Sequence, residues 1–80
     1  MVDFVKVKGQ EINVTTANTV GDAVLVRDYA PSATVLTFAN TTGTYGTYSM
    51  GAGADEVFIK ETTDTIAASV SAKCVAIAYK

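Results

Sequence analysis

Several short segments of this 80-residue chain carry apolar residues at both odd and even positions, and that pattern constrains the fold more than any other feature. The clearest cases are residues 2–7, 23–26 and 57–59. In an extended strand successive side chains point to opposite faces, so each of these segments is apolar on both faces. So short a chain has no helices to spare for covering a second apolar face. We therefore expect other subunits to bury it.

Residue types and their spacing predict strands throughout. Valine, threonine and isoleucine make up 27 of the 80 residues, and β-branched side chains favour strands over helices. Turn residues separate short apolar runs at intervals of roughly 8 to 12 residues, as in sandwiches and small barrels. We predict one all-β domain spanning residues 1–80, a small antiparallel β-sandwich of about seven short strands.

The predicted strands lie at residues 2–8, 12–15, 23–27, 34–39, 44–50, 56–60 and 73–79. Residues 17–22 are predicted to form a loop, while residues 66–71 fit either a strand or a single helical turn. The predicted core comprises Val24 or Leu25, Leu36, Phe38, Val57, Ile59, Val75 and Ile77.

The chain lacks the residues on which most catalytic sites depend. Histidine is absent, which removes the commonest general base and zinc ligand. The single cysteine, Cys74, lies among apolar residues and is expected to be a small buried side chain rather than a reactive thiol. The sequence therefore predicts a protein that is not an enzyme and binds no cofactor.

Two further patterns were weighed as ligand sites. Asp55, Glu56, Glu61 and Asp64 lie close together but do not follow the spacing of an EF-hand loop. We predict that they are turn and solvent-facing residues, with a weak calcium site as the alternative, and we assign no metal site. The glycines of residues 51–53 have no third glycine and precede a strand, so they indicate a turn rather than a dinucleotide site.

Charge and hydropathy argue against two classes of partner. The net charge is −2 and no basic stripe is present, so nucleic-acid binding is not expected. No apolar run approaches the roughly 18 residues of a membrane span, and the first residues do not form a signal peptide. The sequence therefore predicts a product made in the cytoplasm with no membrane partner.

The aromatic residues allow three interpretations. Tyr45, Tyr48 and Phe58 do not extend a continuous core face. They could cap the edges of the core, form a protein interface, or stack on sugar rings. The predicted interface residues are Val2, Phe4, Val5, Tyr45, Tyr48, Met50 and Phe58.

Two regions of the sequence carry a resemblance to a known class of proteins. These are EVFIKETTDTIAAS at residues 56–69 with VAIAY at 75–79, and, more loosely, ANTVGDAVLVR at 17–27. Together they resemble small virion structural proteins of tailed bacteriophages, especially phages of marine and cyanobacterial hosts.

The resemblance implies a capsid cement or decoration protein, or alternatively a neck or tail component of the virion. Its partners would be the major capsid protein, other virion proteins and copies of itself, as a dimer or trimer. Such proteins have no catalytic residues. Two other classes stay open: a carbohydrate-binding or adhesin module that uses Tyr45 and Tyr48, and a small monomeric regulatory domain with one soluble partner.

Overall fold

A computed structural model describes residues 4–79 and confirms the predicted all-β class. Eight strands form two antiparallel sheets, consistent with a small β-sandwich. The strands are β1 (Val5–Val7), β2 (Ile12–Val14), β3 (Leu25–Tyr29), β4 (Thr34–Asn40), β5 (Gly43–Met50), β6 (Asp55–Ile59), β7 (Thr65–Ala68) and β8 (Ala72–Tyr79). Of the segment that also fitted a helical turn, residues 66–68 belong to strand β7 and residues 69–71 connect it to β8.

Strand β8 organises the larger sheet. It pairs with β3 along one edge, while β1 and β2 share its other edge. Strand β6 pairs with β3 at the far side, giving the order β1-β8-β3-β6. The smaller sheet has the order β5-β4-β7, and β7 bonds to the segment after β2 through Asn18 and Ile66.

The predicted loop at 17–22 contains a tight left-handed turn that delays the start of β3. Val20, Gly21 and Asp22 all have positive φ angles, of 55°, 66° and 56°. This backbone region is costly for a β-branched residue such as valine. The Val20 amide donates a 2.7 Å hydrogen bond to Asn18 Oδ1, and the Val20 side chain is buried in the core. These contacts hold the turn, and β3 begins at Leu25 instead of Ala23.

The core between the sheets differs in part from the predicted one. Leu36 and Phe38 are buried there as expected. Val24 and Ile59 are exposed, so their prediction as core residues was wrong. Leu25 and Val57 are half-buried. The core cluster consists of Val14, Val20, Val26, Ala30, Leu36, Phe38, Met50, Ile66, Ala68, Ala72, Cys74.

The observed core differs from the predicted one because of the orientation of β8. Its small side chains, including Cys74, face the other sheet, where they leave room for Leu36 and Ile66. Val75 and Ile77 are buried as predicted, but they lie on the opposite face and outside the core cluster. The large side chains of β8 therefore point away from the core, the reverse of what large-inside packing predicts.

Asp28 is a charged residue inside this core. It is fully buried, and its register partners are Cys74 on β8 and Glu56 on β6. Within residues 4–79, neither carboxylate oxygen of Asp28 has a hydrogen-bond partner. Burial raises the pKa of Asp28 from 3.8 to about 6, and the neighbouring Cys74 thiol opposes this only in part. The buried carboxylate disfavours folding when it is ionised.

We expect Asp28→Asn to remove a pH dependence of stability. The native state holds the Asp28 proton more tightly than the unfolded chain, because its pKa is about 6 instead of 3.8. The free energy of unfolding should therefore fall as pH rises from about 4 to about 6, by roughly 3 kcal/mol, and then level off. Urea unfolding followed by circular dichroism across this range measures the slope.

Asp64→Asn is the matched control. Asp64 is also buried, but its Oδ2 accepts hydrogen bonds from the Tyr45 hydroxyl and the Glu61 amide. This variant should lose stability and still show the decline between about pH 4 and about pH 6. A decline that persists unchanged in Asp28→Asn would contradict the assignment to Asp28.

Candidate interaction surface

The larger sheet has an outer face, the side turned away from the smaller sheet, and this face is largely apolar. Strand alternation places Val5 and Val7 of β1, Leu25 of β3 and Ile59 of β6 on it. Val5, Val7 and Ile59 are 54%, 65% and 77% exposed. The expectation of strands with apolar residues on both faces is therefore met in β3 and β6, whose inner residues Val26 and Phe58 lie in or against the core. It is not met in β1, where Val5 and Val7 share the outer face and Lys6 lies on the other.

A groove of about 730 Å³ runs along β8 on the outer face. Val75 and Ile77 form its floor and are buried. Val5 and Val7 of β1 line one side, and Val57 of β6 lines the other. The groove therefore has an apolar floor between two raised apolar rims.

The ion cluster, defined here as Glu11, Arg27 and Asp55, closes one end of the groove. Arg27 Nε donates a 2.8 Å hydrogen bond to Asp55 Oδ1, and Nη2 donates to the second carboxylate oxygen. Glu11 Oε2 lies 3.9 Å from Arg27 Nη1, on the other side of Val75. The Arg27 guanidinium holds the pKa of Asp55 below its usual value, and Asp55 raises the pKa of Arg27.

Only part of the predicted interface lies on the outer face. Phe4, 70% exposed, immediately precedes β1, and Val5 is an exposed residue of the β1 rim. Val2 lies outside the described residues. Met50 is 3% exposed and belongs to the core, so it was wrongly placed at the surface.

The outer face also contains residues that the list of predicted interface residues omits. Val7, Leu25 and Ile59 lie in segments that the sequence predicts to be apolar on both faces, whereas Tyr79 does not. In the sequence, strand alternation already places Phe58 on one face of β6 and Val57 with Ile59 on the other. It does not indicate which of these faces points inward, because that depends on the neighbouring strands.

Tyr45, Tyr48 and Phe58 instead join Phe38 in an aromatic row where β5 and β6 approach each other. The ring centroid of Phe58 lies 5.0 Å from that of Phe38 and 5.0 Å from that of Tyr48. The centroids of Tyr45 and Phe38 are 6.4 Å apart. Phe58 is half-buried and packs against the core, whereas Tyr45 and Tyr48 are 53% and 42% exposed. The packing of Phe58 matches the first interpretation, in which these aromatics cap the edge of the core, and a role of the two tyrosines in an interface stays a prediction.

The tyrosine hydroxyls of this row are already hydrogen-bonded. Tyr45 donates to Asp64 at 3.0 Å and Tyr48 to Glu56 at 3.2 Å. The pKa of Tyr45 is raised by burial and by Asp64, and that of Tyr48 by Glu56. These bonds orient both rings toward the sandwich.

The four acidic residues weighed as a calcium site do not converge. Asp55 pairs with Arg27, Glu56 accepts from Tyr48, and Asp64 accepts from Tyr45 and the Glu61 amide. Among residues 4–79 no group of three or more histidine, cysteine or acidic side chains could hold a metal ion. The same part of the chain contains no helix that could cross a membrane.

We expect Phe58→Ala to destabilise the fold substantially, because Phe58 joins the aromatic row to the core. Removing a half-buried phenyl ring should lower the free energy of unfolding by roughly 2–3 kcal/mol. Tyr48→Phe is the matched control, since it keeps the stacked ring and loses only the hydrogen bond to Glu56. Urea unfolding compares them, and equal stability of the two variants would contradict a packing role for Phe58.

Comparison with known proteins finds no relative of this chain. No protein-family model, no curated protein and no solved structure matches the chain. A functional proposal must therefore rest on the chain's own sequence and on its groove, ion cluster and exposed apolar strands.

Proposed function

We propose that this chain is a structural protein of a bacteriophage virion, most directly a capsid cement or decoration protein. In this role it packs between or on major capsid subunits and stabilises the shell. The resemblance of residues 56–69, 75–79 and 17–27 to small virion proteins of tailed phages supports the proposal. A neck or tail position is the alternative within the same class.

The observation that carries the proposal is the exposed apolar outer face. Val7 and Ile59 are 65% and 77% exposed at opposite rims of one sheet, with an apolar groove between them. Contiguous apolar patches of this kind on a small soluble domain usually mark an interaction surface. Burying them against a neighbouring protein would add apolar contacts to a domain whose own core is small.

The chemistry of the surface agrees with an assembly role. The outer face places its apolar residues along the groove and its charged residues at one end, so an apolar contact there would have a polar border on one side. The chain has no histidine, and the side chains of Asp55, Asp64 and Glu56 are engaged with Arg27, Tyr45 and Tyr48. The proposal therefore assigns no catalytic role, cofactor or nucleic-acid partner.

Mass spectrometry of purified virions that encode this chain tests the proposal. We expect the chain in the particle after extensive washing, in constant ratio to the major shell protein. A copy number that matches the shell lattice indicates decoration, whereas one that matches a single symmetric ring indicates neck or tail. Absence from washed particles, with the chain present in the infected-cell lysate, would contradict a virion role.

A further inference from the structure

We infer that the outer face binds a second copy of this chain in a two-fold symmetric dimer, an inference that rests on the proposed function as an assembly protein. The rim formed by β1 of each copy lies in the groove of the other. The shape and charge of the face support this occupant, and its area sets how weak the dimer is.

The face has apolar residues at one end and polar residues at the other. One row across four strands contains Val7, Ile77, Leu25 and Ile59 in direct register. The next row contains Val75, Arg27 and Val57, and the third contains Lys73, Tyr29 and Asp55. An interface built on this face with an axis parallel to β8 is apolar at one end and has a polar border at the other.

The shape of the face is complementary to itself. Its groove has a buried floor of Val75 and Ile77, and beside it β1 presents Val5 and Val7, which are 54% and 65% exposed. A two-fold axis parallel to β8 and close to it places the β1 rim of each copy over the groove of the other. Each rim then fills a groove, and the two contacts are identical by symmetry.

The charges of the face are compatible with self-association. Arg27 and Lys73 balance Glu11 and Asp55 on this side of the sheet, whereas the whole chain carries a charge of −2. The same two-fold axis brings Glu11 of each copy toward Arg27 of the other, because these residues lie on either side of β8 in one row. Opposite charges therefore meet at Glu11 and Arg27, whereas Lys73 on β8 lies opposite the Lys73 of the other copy at the polar end and weakens the contact there.

The area of the face limits how tight the dimer can be. Strand β8 has eight residues, so the face extends about 26 Å along it and about 19 Å across four strands, or roughly 500 Å² per copy. A two-fold axis close to β8 superposes only β1, β8 and β3 of the two copies, so the dimer buries less than the roughly 1,000 Å² expected of a specific interface. We therefore expect a weak dimer that forms with rising concentration.

Sedimentation velocity of the purified chain, from about 10 μM to about 1 mM, tests this inference. The parent chain should shift from monomer toward dimer across the range. Val7→Lys should remain monomeric, because it places a charge in the partner's apolar groove. Val70→Lys is the matched control: Val70 is 46% exposed, in the turn between β7 and β8, and its variant should dimerise like the parent. Thermal melts establish that both variants fold.

Amide chemical-shift changes on dilution should be confined to β1, to β8 and to Glu11 and Arg27. A parent chain that stays monomeric at the highest concentration would overturn the inference, as would a dimer that survives Val7→Lys. The failure of this inference is distinguishable from failure of the proposed function. A monomeric chain that is still present in washed virions refutes only the dimer, and a dimer that is absent from virions refutes only the virion role.

Discussion

The register of β8 is the constraint on which the rest of the structure depends. This strand pairs with β3 on one side and with β1 and β2 on the other, so its two faces serve two different environments. Cys74 and its small neighbours point toward the second sheet, where Leu36 and Ile66 fill the space between the layers. A shift of the register by one residue would turn Val75 and Ile77 inward and overfill that space.

The exposed apolar outer face is a consequence of this register of β8. Because the large side chains of β8 point outward, within residues 4–79 they are covered by their neighbours in the same sheet, Val7 and Leu25 among them, and by the Arg27 side chain. Val7 is in turn left exposed at the rim. The two sheets place no third layer over this face, which is why our proposal assigns it a partner.

Asp28 shows that the interior is not optimised for stability alone. An ionised carboxylate without a hydrogen-bond partner among the described residues opposes folding, and its raised pKa is the measure of that cost. The ion cluster on the other side of the same strand is satisfied within the sheet, since Arg27 is held by Asp55 and approached by Glu11. Neighbouring positions 27 and 28 thus place one paired and one unpaired charge on opposite faces of β3.

The sequence by itself determined the strand class, most strand positions, and the presence of apolar residues on both faces of several strands, because these depend on residue type and a period of two. It correctly placed Leu36 and Phe38 in the core, and Phe4 and Val5 at the surface. Only the tertiary structure decided which face of each strand points inward. That choice depends on which strands are neighbours, and it moved Met50 into the core, Ile59 onto the outer face and Phe58 into the aromatic row. Pairing between strands distant in the chain is a property of the whole fold, so no local pattern contains it.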